Sequence, residues 1–219
     1  GGSGDVTVSY VHNLYDGLKM QGNAVQIYEP LCDFYRSNVQ SQYDAGAAPG
    51  MTVEPALSDA LADGARAFAD TALIVISRFS GEGWDRKSVR YEGQVSDEGR
   101  QSELSEKIFQ DSDFCLTHEE AALVAKVKER FERIVVVLNV GGMVDTSWFI
   151  DDEKLPAVLL AWQGGMEGGL AMADILMGKV SPSGKLSDTF AGSLDDYPST
   201  ANFHESVSYT HLTLPTNSL

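Results

Sequence analysis

A chain of 219 residues, 43% of them hydrophobic, has the size and composition of one globular domain with a sizeable core. Its 32 acidic against 16 basic residues give a formal net charge of −16, a surface that makes nucleic acid and anionic membranes poor partners. No apolar run approaches the roughly 18 residues of a membrane-spanning helix. Cys32, Cys115 and the scattered His12, His118, His204 and His211 make neither a CxxC nor an HExxH pattern, so no metal site is expected.

Both ends read as irregular. The chain opens without methionine on GGSGD, a Gly-rich loop of the kind that follows a strand, so a truncated N-terminus is expected. Residues 207–219 (VSYTHLTLPTNSL) fit neither a helix period nor a packed strand and resemble translated read-through of a sequencing adapter. They are expected to be a non-native tail, leaving 1–206 as the domain.

In chain order, Val11, Leu14, Tyr15 and Leu18 carry the helical period within Val8–Gln21, and Gly22 closes it. Ala24–Tyr28 reads as a short strand, and Glu29–Tyr43 is ambiguous, with helix around Leu31–Val39. Pro55 opens a helix whose stripe is Leu57, Leu61, Ala65 and Phe68. The β-branched run Thr71–Ser77 is a strand that breaks into a small loop, SGEGWDR. Residues 87–113 are polar and aperiodic, a surface excursion beside a strand end.

Thr117 and Glu120 form a T-x-x-E capping box ahead of a helix facing inward through Leu123, Val124, Val127 and Phe131. Ile134–Asn139 and Ala157–Trp162 are continuously apolar, as strands covered on both faces are. Between them Gly141–Gly142 turn the chain, Asp145 caps a short helix, and Trp148 belongs to the core, as does Trp162. GGMEGG leads into a helix at Leu170–Met177, where Glu167 favours the macrodipole and satisfies backbone donors. Lys185–Phe190 is a last short strand. Alternating strands and helices predict a three-layer α/β/α sandwich with a mostly parallel sheet of about five to six strands.

In such a sheet the carboxyl ends of the strands share one edge, where ligands bind. Glu82, flanked by glycines, lies at that edge, followed by Trp84, Asp85 and Arg86. A carboxylate there suits acid/base chemistry, but the loop by itself favours a solvated surface glutamate.

Three segments at that edge, ALIVISRFSGEGWDR (72–86), IVVVLNVGGMVDTSWF (134–149) and AVLLAWQGGMEGGLAMADILMGKVSPSGKLSDTFA (157–191), resemble the α/β-sandwich domain of glycoside hydrolase family 3. DDYPS (195–199) adds to the resemblance, which spans nearly all of residues 1–206. The resemblance implies half of a retaining β-glucosidase-like active site. A TIM-like barrel of the same polypeptide would supply the aspartate nucleophile, with no cofactor, and this domain the acid/base, acting on terminal β-linked sugars of a glucoside or oligosaccharide. Glu82 matches that acid/base, with Glu92, Glu98 and Glu103 as rivals; Trp84, Asp85 and Arg86 become substrate contacts. A noncatalytic ligand-binding or structural module is the alternative, although no GxGxxG or GxxxxGK[ST] supports a nucleotide site.

Overall fold

The computed structural model describes residues 7–48, 50–79 and 107–200. Helix α1 (Leu14–Lys19) is shorter than the periodicity predicts, because Asn13 and Asp16 form a capping box that fixes its start. Helix α2 (Glu29–Asp44) resolves the ambiguous stretch, opening with Pro30 in its first turn. Helix α3 (Asp59–Phe68) starts at the Ser58 cap rather than at Pro55. Strand β1 (Thr71–Arg78) and helix α4 (His118–Arg130) follow, the latter opening on the predicted Thr117–Glu120 box. Strand β2 (Arg133–Val140), strand β3 (Ala157–Leu160) and helix α5 (Gly168–Leu176) complete the order.

The sheet is parallel, in the order β1-β2-β3, with Thr71 opposite Arg133 and Val135 opposite Ala157. Three strands stand among the described residues, not five to six. Residues 24–28 are the first correction: a 3₁₀ turn covers Gly22–Ala24, and the extended chain that follows has no ladder partner among the described residues. Val25 and Ile27 alternate inward as a strand would, but alternation buries one face without supplying the neighbouring hydrogen bonds that define a strand. Residues 185–190 are the second. They are almost wholly exposed, and only Phe190 turns in, against Trp162.

One face of the sheet carries the core. Ile74 and Ile76 of β1 and Ile134, Val136, Leu138 and Val140 of β2 pack with Ala65 of α3 and with Val124, Val127 and Phe131 at α4. Exposed pairs from Lys126 and Arg130 to Asp59 and Asp63 run between α4 and α3, each adding little beside that apolar contact. The opposite face is uneven: Val137 is fully buried, whereas Leu73 and Val75 of β1 are 38% and 45% exposed. α1 meets α5 through two glycines, and a Cβ on Gly169 would collide with the Asn13 carbonyl while one on Gly17 would collide with that of Gly169.

Asp145 caps a turn rather than a helix, accepting from the Ser147 backbone at 2.8 Å and its hydroxyl at 2.9 Å. Trp148 packs edge-on to Phe149 beside the core, as predicted. Cys32 and Cys115 are free thiols whose pKa values burial raises. The tail 207–219 lies outside the described residues, as does most of the 87–113 excursion.

Candidate functional site

The three strands end on one edge. There the Asn139 amide donates to the Ser77 hydroxyl at 3.4 Å, the Gly141 N–H donates to the Arg78 carbonyl at 3.3 Å, and the Ala161 N–H donates to Leu138 at 2.9 Å. Trp162, directly after β3, takes φ of 52°, a left-handed conformation rare for a bulky side chain. Its ring lies beside the core, 6.2 Å from Phe190. That packing offsets the backbone strain and agrees with the core role expected of it.

Glu167 departs from expectation. It occupies the N-cap of α5 but makes no side-chain cap bond. Its carboxylate instead meets His12 Nδ1 at 2.9 Å, and hydrogen bonds from His12 and Tyr10 hold its pKa below the usual range. The backbone repeats the link: His12 N–H donates to Met166 at 2.8 Å and Gly169 N–H to His12 at 3.0 Å. The GGMEGG turn is thus tied to the segment ahead of α1.

A buried polar cluster sits where β1 ends. Arg78 is 4% exposed, and all five of its N–H donors find acceptors. Nε donates to the Asp113 carbonyl at 2.8 Å, Nη1 to the Ser77 carbonyl at 2.8 Å and Nη2 to the Cys115 carbonyl at 2.8 Å. The remaining two donors reach Glu120 Oε1 and Oε2, both at 2.7 Å, in a bidentate fork. The guanidinium also lies 5.0 Å from the Phe109 ring centroid. Glu120 Oε2 accepts from the Thr117 N–H at 2.8 Å as well, so one carboxylate closes the helix cap and the ion pair together.

Behind Glu120 lies Glu54, whose Oε1 accepts from the Tyr35 hydroxyl at 2.6 Å. Burial, reinforced by the nearby Glu120 charge, pushes the Glu54 carboxyl up to about 7, and burial likewise raises the Tyr35 phenol.

The sequence-predicted site residues Glu82, Trp84, Asp85 and Arg86, and the rivals Glu92, Glu98 and Glu103, all lie outside the described residues. Sequence reasoning missed Arg78, Glu54 and the His12–Glu167 link. Only Arg78 left a signal, an arginine ending an apolar strand. Among the described residues, no group of three or more His, Cys, Asp or Glu side chains could hold a metal ion.

The model of the glycosyl hydrolase family 3 C-terminal domain matches residues 1–215. The chain belongs to that family. This family 3 C-terminal domain is 54% identical over 214 residues to β-glucosidase A of Butyrivibrio fibrisolvens, covering 97% of the chain and 26% of the relative. It is 35% identical over 209 residues to a β-glucosidase of Ruminococcus albus, covering 93% and 20%. The domain therefore spans about a quarter or less of the length of these relatives. Among solved structures it superposes on β-glucosidase 3B of Thermotoga neapolitana with a TM-score of 0.73 at 31% identity, covering 93% of the chain and 26% of that one. A β-glucosidase from Paenibacillus barengoltzii gives 0.72 at 32%, covering 93% and 20%.

Proposed function

We propose that this family 3 C-terminal domain is the acid/base-bearing, substrate-contacting part of a retaining β-glucosidase acting on terminal β-linked sugars, with the nucleophile supplied by a TIM-like barrel of the same polypeptide. The observation that carries the reading is the match along residues 1–215, together with 54% identity to part of a longer β-glucosidase. Glu82 is the acid/base, four residues beyond the end of β1, and Trp84, Asp85 and Arg86 contact the sugar.

Retention requires two carboxyl groups about 5–5.5 Å apart, one attacking the anomeric carbon and one first protonating the leaving oxygen and then deprotonating water. The acid must hold its proton near neutral pH, which burial against a second domain supplies by disfavouring the carboxylate. No metal or redox group is needed for either step.

The test is hydrolysis by the full-length parent enzyme. Glu82→Ala should impair substrates with poor leaving groups far more than activated aryl glucosides, since only the former need protonation. Azide should partly restore turnover of the activated substrates. Equal loss on both classes without azide rescue would transfer the role to Glu92, Glu98 or Glu103, and a parent inert towards β-glucosides would end the reading.

A further inference from the structure

Residues 7–11, TVSYV, carry no charge in a chain of which 22% is charged. They precede α1 in neither helix nor strand, and all five are exposed. Val8, Tyr10 and Val11 leave 38%, 49% and 55% of their surface to solvent. A single exposed apolar residue is ordinary, whereas three within four positions of an uncharged stretch mark an interaction surface.

The stretch is held in place. His12 ties its end to the GGMEGG turn by two backbone hydrogen bonds and by its ring contact to Glu167. The Tyr10 hydroxyl bonds to the same carboxylate, and its ring lies 5.0 Å from that of His12. The approach is close, since a Cβ on Gly169 would strike the His12 carbonyl. That turn joins the carboxyl end of β3 to the start of α5. The sheet is parallel, so the stretch is fixed at the edge on which β1 also ends.

We propose that residues 7–11 are a docking surface for the barrel of the same polypeptide, an inference that rests on the two-domain reading given above. Position selects that occupant first. The strand leading to Glu82 ends on this edge, and a nucleophile from a second domain must approach the acid/base there. Length agrees, because this domain covers only 26% and 20% of the β-glucosidases it matches. Charge disfavours a second copy, as two domains each carrying −16 repel. An uncharged patch built around a tyrosine has the composition of an interface core. Covering Val8 and Val11 removes apolar surface from water, whereas a carboxylate in their place would resist burial.

Two experiments on the full-length parent enzyme test this. A benzophenone side chain installed at position 11 should, on irradiation, cross-link to barrel peptides within the same molecule. Cross-links to another copy, to other residues of this domain or to nothing would overturn the proposal. The double variant Val8→Asp/Val11→Asp should lower kcat/KM for an aryl β-glucoside by at least about tenfold, since a misplacement of about 1 Å is worth on the order of 10²-fold. Amides of β2 should exchange hydrogen as slowly as in the wild type, showing an intact core, while those of residues 7–11 exchange faster. Ile150→Asp is the control. Ile150 is 66% exposed but lies on the connection into the amino end of β3, and the variant should keep wild-type turnover. Equal losses in the two variants, or unchanged exchange at residues 7–11, would sink the docking surface. A parent inert towards glucosides that still cross-links from position 11 to its barrel loses the catalytic reading and keeps the docking surface. An active parent with no such cross-link does the reverse.

Discussion

Glu54 is a carboxyl held where its charge is disfavoured, with a tyrosine hydroxyl on one oxygen and the Glu120 carboxylate nearby. Its pKa of about 7 in the fold exceeds the ordinary 4.5, so the native state binds this proton more tightly than the unfolded chain does. Stability from this group is complete below pH 4.5 and is lost as pH rises through 7. Glu54→Gln, which keeps an acceptor for Tyr35 and removes the titration, should match the wild type near pH 5. It should be more stable at pH 8 by on the order of 2 kcal/mol. Urea unfolding at the two pH values checks this, and a variant less stable at pH 8 would show that the ionised carboxylate is the favoured form. In the Arg78–Glu120 pair each charge is compensated by the other through a bidentate fork. Glu120→Ala strands a guanidinium that is 3% exposed and should cost about 3 kcal/mol or more. Thr117→Ala, losing only a cap hydroxyl, should cost about 1 kcal/mol. Chemical denaturation of the two variants should separate them by that margin.

At the scale of elements, the Thr117–Glu120 box is legible in the sequence by itself, because T-x-x-E is a local pattern closed within four residues. The core strands are legible for a similar reason. Ile74, Ile76, Ile134, Val136 and Leu138 lie within apolar runs and are buried on the core-facing side, although Leu73 and Val75, in the same β1 run, stay exposed on the other. Residues 24–28 and 185–190 mislead because a strand is a relation between two segments, and one segment's alternation does not name its partner. Arg78 and Glu54 are opaque for the same reason: Glu120 is 42 residues from Arg78, and Tyr35 is 19 from Glu54. Glu167 does stand at a helix start, as its position implies, but its partners, His12 and Tyr10, come from the other end of the chain. The α1–α5 contact is equally non-local and carries its own prediction. Gly169→Ala would drive a methyl into the Asn13 carbonyl, and moving α1 aside should cost about 2 kcal/mol. Urea unfolding should show a lower midpoint with an unchanged slope.

For the molecule as a whole, the consequence of the proposed function is that the domain is inert by itself. The proposed reading puts the nucleophile on the barrel, so release of aryl alcohol from activated glucosides by the domain alone should stay at the uncatalysed rate. Turnover by the purified domain would place both catalytic carboxylates within these 219 residues.

The exposed Leu73 and Val75 on β1 have a colloidal consequence. Among the described residues β1 borders the sheet on one side only, and an unmatched strand margin beside apolar side chains is adhesive towards another copy. The opposing force is long-ranged: each molecule carries a formal charge of −16, which salt attenuates over about 10 Å at 0.1 M. Light scattering on the isolated domain should therefore give a positive second virial coefficient in dilute buffer that falls, and changes sign, as sodium chloride is raised. Val75→Lys, which places a charge on the adhesive patch, should keep it positive at the same salt concentration.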